Sequence, residues 1–217
     1  MFTLLYYKIM GNIRDLLNSF TKEDFVNKVN LHIHTKHSDG EASVEQILLS
    51  AKKKGYKYIA ITDHNTIEAH KRFKDEILLT GVEFDCWYGY VFFHLLAYGI
   101  DINNPELQPF LAKTKKDTED VIPRLFAKRN VRKLIQAIHN AGGIAVLAHP
   151  ACCWAISLEK FIVGLMNIGI DGIEVYYPYP RFRKFAKFHQ EESVIKIAEK
   201  YPNLIRTGGT DFHGAEF

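Results

Sequence analysis

The chain has 217 residues and a mass of 25.0 kDa, enough for one domain with a substantial core, and its 47% hydrophobic and 24% charged content is that of an ordinary soluble globular protein. A formal charge of +3 is too weak to argue for nucleic-acid binding by itself and would not repel an anionic substrate. Cys86, Cys152 and Cys153 form neither a Cys-x-x-Cys nor a disulfide framework, which fits structural burial and a reducing cytoplasm, and no apolar run approaches the roughly 18 residues of a membrane span.

Met1 to Met10 is apolar but lacks the basic region and cleavage site of a secretory signal, so residues 1–28 read as an N-terminal extension with a helix from about Ile13 to Phe20. Thr21-Lys22-Glu23-Asp24 opens a second turn, and residues 29–217 form the main domain. Val29 to His34 is the first strand. Ser43 caps a helix that runs to Lys54 and is stopped by Gly55, with Val44, Ile47, Leu48 and Ala51 on one stripe. Tyr58 to Thr62 is the second strand, and a helix from Thr66 to about Lys74 precedes a third, Ile77 to Glu83. Tyr90 to Ala97 is a fourth, antiparallel to the third or joined to it tightly around Trp87-Tyr88-Gly89. Helices are expected over Pro105–Lys116 and Glu119–Asn140, then a strand Ile144–Ala148, a helix Leu158–Asn167, a strand Gly172–Val175, a helix Phe182–Lys200 and a strand Asn203–Thr207. About seven strands alternating with helices favour a closed β/α barrel, and no Gly-x-Gly-x-x-Gly follows any strand, which counts against a dinucleotide-binding domain.

The residues around the strand ends carry the chemistry. Strand one supplies His32 and His34, which alternation puts on one face with Ile33 on the other, and then Asp39. Later come Asp63-His64, Glu83, His94, His149, Glu174, Asp211 and His213. In a β/α barrel the carboxyl ends of the strands converge on one mouth, so residues spread along 180 positions meet there. Imidazoles mixed with carboxylates and no thiolate suit Zn²⁺, Mn²⁺ or Fe²⁺ in a catalytic rather than a structural site. Even with Asp63 and Glu174 set aside, nine such side chains are too many for one ion, so two or three divalent ions are implied, the arrangement used for displacement at phosphorus.

Asn30-Leu31-His32-Ile33-His34-Thr35, Ser38-Asp39-Gly40, Ile61-Thr62-Asp63-His64, Gly81-Val82-Glu83, His94-Leu95-Leu96-Ala97-Tyr98-Gly99, Ala148-His149-Pro150 and Gly209-Thr210-Asp211-Phe212-His213-Gly214 resemble, in order, the motifs of the PHP (polymerase and histidinol phosphatase) family of metal-dependent phosphoesterases. The resemblance implies a single-domain, distorted seven-stranded TIM-like β/α barrel over 29–217. It also implies a trinuclear centre: His32, His34, Glu83 and Asp211 around one ion, Glu83 bridging to a second held by His94 and His149, and Asp39, His64 and His213 around the third. Two departures stand out. Asn30 occupies a position that is usually Asp in the family, and the interval from His94 to His149 is short where relatives often carry a helical cap.

The activity expected is hydrolysis of a phosphomonoester or nucleotide-type substrate by a metal-bridging hydroxide, with Asp211 or His213 orienting the water. Lys36, Arg181 and Arg183 are candidate phosphate contacts, and Trp154, Tyr176, Tyr177 and Tyr179 candidate stacking or rim residues. The expected partner is a small phosphorylated molecule, a nucleotide or short oligonucleotide included, with no membrane and no obligate protein partner. Metal-dependent C–N hydrolysis is disfavoured by the lack of a strand-end lysine suited to carbamylation. The alternative from another class is a non-catalytic metal-binding PHP module or scaffold in a polymerase-type assembly, disfavoured because all nine ligand positions are filled.

Overall fold

The protein is described here from a computed structural model, covering residues 12–179 and 188–217. The helix at the start of the chain is two short helices, α1 (Ile13–Asn18) and α2 (Lys22–Asn27), parted at Thr21, which makes a reciprocal capping box with Asp24. Strand β1 (Val29–Ile33) is followed by α3 (Val44–Lys54), whose ends match the sequence expectation at both termini. Ser43 and Gln46 close a capping box, and Gly55 takes the left-handed conformation that ends the helix (φ 77°). Next come β2 (Tyr58–Ile61), the short α4 (Glu68–Arg72), and the hairpin of β3 (Leu78–Tyr88) and β4 (Val91–Tyr98), turned at Gly89. Strand β3 runs five residues beyond the Glu83 end expected from sequence, because Phe84 to Tyr88 pair with β4 along the whole hairpin.

The expected long helices between residues 105 and 140 are not continuous. Pro105–Phe110 is a 3₁₀ turn, then come α5 (Lys116–Glu119) and α6 (Val121–Leu125), and only α7 (Val131–Asn140) is a full amphipathic helix. Proline explains the breaks: Pro109 and Pro123 each remove a backbone donor, and Asn130 caps α7 afresh through the Lys133 amide. The chain continues through β5 (Ile144–Leu147), α8 (Leu158–Met166), β6 (Gly172–Tyr176), α9 (Glu191–Lys200) and β7 (Ile205–Gly208). The helix expected from Phe182 begins, among the described residues, at Glu191. No helix of the described residues is long and apolar enough to cross a membrane.

The seven strands form one sheet in the order β1 to β7, parallel except at β3–β4 and β4–β5. The ladder does not run from β7 back to β1. Instead Phe212, beyond β7, makes an isolated parallel bridge with Ile33, so the two edges meet at the end of the sheet where the site lies. Val29, Leu31, Leu79, Leu96, Tyr98 and Ile205 fill the interior, and Ile13, Leu16 and Leu17 of α1 pack against them. Ile33, Ile59 and Ile61 face outward against Ile47 and Ala51 of α3, while the largest cluster joins β3–β6 to α7, α8 and α9.

The register is irregular at two places, one of them between Glu174 and Tyr176 on the β6–β7 ladder. The β1–β2 register slips between Asn30 and Ile33, a bulge that lets both Leu31 and His32 leave the outer face. The bulge leaves His32 and His34 side by side at the sheet's end, with ring centroids 5.3 Å apart.

Candidate metal centre

All nine ligand-type residues singled out from sequence lie at one end of the sheet. His34 follows β1 and is locked there by its amide, which donates to the Phe212 carbonyl at 2.8 Å, while the Phe212 amide donates to the His32 carbonyl at 3.2 Å. Asp39 is brought in by the tight turn after β1, which Asp63, just beyond β2, holds in place. The Thr35 amide and the Ser38 hydroxyl donate to Asp63 Oδ1 at 2.6 and 2.7 Å, and Gly40 sits where a Cβ would lie 2.5 Å from the His34 carbonyl. Gly209 is required for the same reason, since a Cβ there would meet His32 at 2.4 Å.

Glu83 and His94 lie within strands rather than after them. Strand β4 runs against its neighbours, so its first half is at the end where the parallel strands finish, and His94 faces Asp85 across the hairpin. Glu83 stands at the centre of the group. Its Oε1 is 3.2 Å from His32 Nε2, 3.1 Å from His94 Nδ1 and 3.3 Å from His149 Nε2. Its Oε2 is 3.1 Å from His34 Nε2 and 3.3 Å from His64 Nδ1. Asp211 Oδ1 completes one face, 3.4 Å from His32 and 3.2 Å from His34. His213 Nε2 and His34 Nδ1 lie 3.2 and 3.5 Å from Asp39 Oδ1. Three groups result in which one ligand atom per residue lies within 4.8 Å of the others: His32, His34, Glu83 and Asp211; His34, Asp39, His64 and His213; and His64, Glu83 and His94. His149 joins the last through His94 Nδ1, 3.3 Å away.

These residues fit metal ions on their own chemistry. Among the described residues, both Glu83 oxygens, Asp39 Oδ1 and the Nε2 atoms of His32 and His34 are buried with no hydrogen-bond partner, although burying a charge without such partners is costly. The opposite nitrogen of His32 is fixed: Nδ1 contacts Glu174 Oε1 at 3.0 Å, the arrangement that sets a metal-binding imidazole's tautomer. Glu174 Oε2 accepts the His149 amide at 2.8 Å, so one carboxylate orients both histidines.

The same crowding governs protonation. Burial alone would depress His34 and His149, but the Asp211 and Glu83 carboxylates beside the first raise it to about 9, and Cys152 and Glu83 beside the second raise it to about 10. Burial would raise Glu83 and Asp211, yet the surrounding imidazoles hold both well below the usual carboxylate range. His64 goes the other way: burial, reinforced by His34, His94 and Arg124, lowers it. A nest of carboxylates that pulls protons onto histidines is a nest that demands positive charge.

Among the described residues, the three non-glycine residues with positive φ, Asn65 (56°), His149 (26°) and Asp211 (49°), all belong to this end of the sheet. Such conformations cost about 1–3 kcal/mol each and persist where the surroundings dictate them. Asn30 sits behind Asp211: its Oδ1 accepts the Thr210 amide at 3.1 Å and the His32 amide at 3.3 Å, and its Nδ2 donates to Thr210 Oγ1 at 2.7 Å. Tyr177 donates to Asp211 Oδ2 at 2.9 Å, whereas Tyr176 stacks on Phe25 and the Tyr179 hydroxyl accepts the Ala151 amide. Trp154 is exposed beside Phe188. Lys36 is exposed and does not line the cavity, while Arg181 and Arg183 lie outside the described residues.

Sequence reasoning missed Arg124 and Asp85. Arg124, on α6, is 6% exposed; its Nε contacts both Asp85 oxygens at 3.2 Å and its Nη1 donates to Asp39 Oδ2 at 2.7 Å. Asp85 could have been found from its i+2 spacing to Glu83 on a strand; Arg124 lies in a segment with no strand or helix period to place it. Together with Asp39, His64, His94, His149 and Asp211, Arg124 lines a cavity of about 230 Å³.

The fold and this cluster define a metal-dependent phosphoesterase of the β/α type. The PHP domain model matches residues 30–208, and the chain belongs to that family. It is 30% identical, over 71% of its length and 84% of the other's, to an uncharacterized protein of Methanocaldococcus jannaschii. It is 22% identical, over 85% of its length and 93% of the other's, to a phosphoribosyl 1,2-cyclic phosphate 1,2-diphosphodiesterase of Eggerthella lenta. Among solved structures, an amidohydrolase from Chromobacterium violaceum with bound sulfate and no metal superposes with a TM-score of 0.67 over 86% of this chain and 88% of that one, at 18% identity.

Proposed function

We propose that the protein hydrolyses a small phosphoester, its reacting phosphoryl group held at the centre built around Glu83. The observation that carries the reading is Glu83 itself, a fully buried carboxylate with both oxygens unbonded and five imidazoles within 3.3 Å. His32, His34, Glu83 and Asp211 would hold one divalent ion, and Glu83, His94 and His149 a second, with Asp39, His64 and His213 as a third group. When bound, such ions lower the pKa of water and offset charge developing on phosphoryl oxygens.

The chain's own residues do the rest. Asp211, pinned by Tyr177 and strained at φ 49°, is placed to orient an attacking water, and His213, with Nδ1 2.8 Å from the Asp211 carbonyl, presents its other nitrogen toward Asp39. Glu174 holds His32 and His149 in place. A cavity of about 230 Å³ is below the range of roughly 300–1,000 Å³ that encloses a whole ligand, so the phosphoryl group would be enclosed and the remainder of the substrate would project outward. That suits a phosphomonoester, a cyclic phosphate or the terminal phosphate of a nucleotide, and the diphosphodiesterase of Eggerthella lenta supports the class. The amidohydrolase likeness supports the fold alone, and no lysine among the described residues lines the cavity.

Phosphate release in the presence of Mn²⁺, on a panel of mononucleotides, cyclic phosphates and sugar phosphates, tests the proposal. Turnover of at least one member is expected. Metal bound to the purified protein with no turnover of any phosphoester would overturn the reading in favour of a non-catalytic module.

A further inference from the structure

We propose that the guanidinium of Arg124 takes the place of a metal ion: the centre holds two divalent ions, and Arg124 is the resident cation at the Asp39–His64 end. The inference deepens the metal-dependent reading above and rests on it.

The geometry sets the two cations against each other. Arg124 Nη2 reaches the His64 ring nitrogens at 2.5 and 2.8 Å, and Nη1 takes Asp39 Oδ2 at 2.7 Å. A neutral imidazole has one lone pair, and His64 gives it to the guanidinium. The remaining donors at that end are Asp39 Oδ1, His213 Nε2 and a more distant His34 Nδ1, and the His34 ring already turns its Nε2 to Glu83 and Asp211, so an ion there would have two protein ligands of its own, one fewer than the three of the second group. Among the described residues no such competitor stands around Glu83, and the Nε2 atoms of His32 and His34 have no hydrogen-bond partner there.

Arg124 is also built into place. A buried guanidinium is costly unless carboxylates surround it, and Asp85 and Asp39 do. The segment that carries it is tied down repeatedly. The Ala112 amide donates to the Asn65 carbonyl at 2.8 Å, Asn65 Nδ2 to the Asp117 carbonyl at 3.1 Å, Trp87 Nε1 to the Leu125 carbonyl at 2.8 Å, and Arg129 Nη1 to the Asp85 carbonyl at 2.8 Å. Asn65 adopts φ 56° to make its contacts, and its side chain also bonds Asp85.

Charge agrees with the count. Asp39, Glu83, Asp85, Glu174 and Asp211 bring five negative charges to the ligand cluster and its immediate partners, while Asp63, which belongs to none of the three ligand groups, turns its oxygens to Thr35 and Ser38. Two divalent ions and one guanidinium match them; three ions with the guanidinium overshoot. Three of the five Arg124 donors are engaged by Asp85, Asp39 and His64, which leaves two for phosphoryl oxygens in the cavity that Arg124 lines.

The test is metal stoichiometry. Wild-type protein and R124A are saturated with Mn²⁺, freed of excess, and assayed for Mn²⁺ per chain by elemental analysis, with circular dichroism to verify folding. Two ions are expected in the wild type and one more in R124A, the added ion being displaced by millimolar guanidinium chloride. Three ions in the wild type, or no added ion in folded R124A, would overturn the proposal. Should R124A not fold, Mn²⁺ titration of the wild type by calorimetry decides it: two sites support the proposal and three overturn it. Because the readout is a count, a protein that turns over no phosphoester yet gains an ion in R124A would sink the phosphoesterase reading and leave this one standing.

Discussion

The two sides of the metal centre are built by different means. On the side of β1, β3 and β7, the proposed ligands stand on or beside strands whose backbone is fixed by ladder hydrogen bonds and by the Ile33–Phe212 bridge, and the side chains of His32, His34 and Glu83 are fully buried. On the side of Asp39 and Asp85, positive charge arrives from α6, a five-residue helix with Pro123 in its first turn and Val121 and Ile122 exposed. The first side is rigid because the sheet must be there for the fold to exist. The second is positioned by a handful of polar ties, so its geometry can vary without the sheet changing. Chemistry common to many substrates belongs on the first side, and discrimination among them on the second.

The sharpest way to break this comparison is at Glu83, which both ion groups on the sheet side share. Glu83→Gln keeps the volume and removes the charge, and kcat for phosphate release is expected to fall by about 10³-fold or more, since several kcal/mol of transition-state stabilisation is lost. Activity within tenfold of wild type would show that Glu83 bridges nothing.

Removal of metal comes next. Chelation is expected to abolish turnover, and Mn²⁺ at about 100 times its dissociation constant should stabilise the fold by about 2.7 kcal/mol per site, so two sites raise Tm by roughly 10–20 °C. The effect must depend on pH in one direction. His34 and His149, raised to about 9 and about 10 without metal, carry protons at neutral pH that an ion has to displace. Apparent Mn²⁺ affinity should therefore weaken as pH falls from 8 to 6, and a calorimetric titration showing no such weakening would contradict the ligand roles of these histidines.

Smaller effects are expected from the residues that orient ligands. Tyr177→Phe removes one bond to Asp211, and Asn30→Ala removes three contacts that pin the Thr210–Asp211 turn to β1. Each should lower activity by about 10- to 100-fold with little change in Tm. Losses as large as that of Glu83→Gln would mean that the rigidity attributed to the sheet comes instead from these side chains.

What could be read from the sequence follows the same division. Strand-end histidines, the Ser43 and Gly55 ends of α3 and the β3–β4 hairpin are set by local pattern, so periodicity and capping chemistry find them. The bulge that re-aims His32, the positive φ of His149 and Asp211, and the breaks in the helices between 105 and 140 depend on contacts far along the chain. Arg124 is the clearest case. Nothing in Ile122-Pro123-Arg124-Leu125 marks a site, and its role exists only because Asn65, Trp87 and Arg129 hold that segment against Asp85.

Asn30→Asp offers the smallest effect and the finest discrimination, because it restores the residue usual in the family. Asn30 uses its Oδ1 to accept two amides and its Nδ2 to donate to the Thr210 hydroxyl. A carboxylate can still accept both amides, and a threonine hydroxyl can turn from acceptor to donor, so all three contacts survive the exchange. The added negative charge lies behind Asp211 and next to β1, where it strengthens the demand for cations rather than opposing it. Activity within about threefold of wild type and an unchanged or slightly tighter Mn²⁺ affinity are expected. A loss as large as that of Asn30→Ala would mean that the amide's donor is indispensable, and that the Thr210 hydroxyl is held as an acceptor by the turn that presents Asp211.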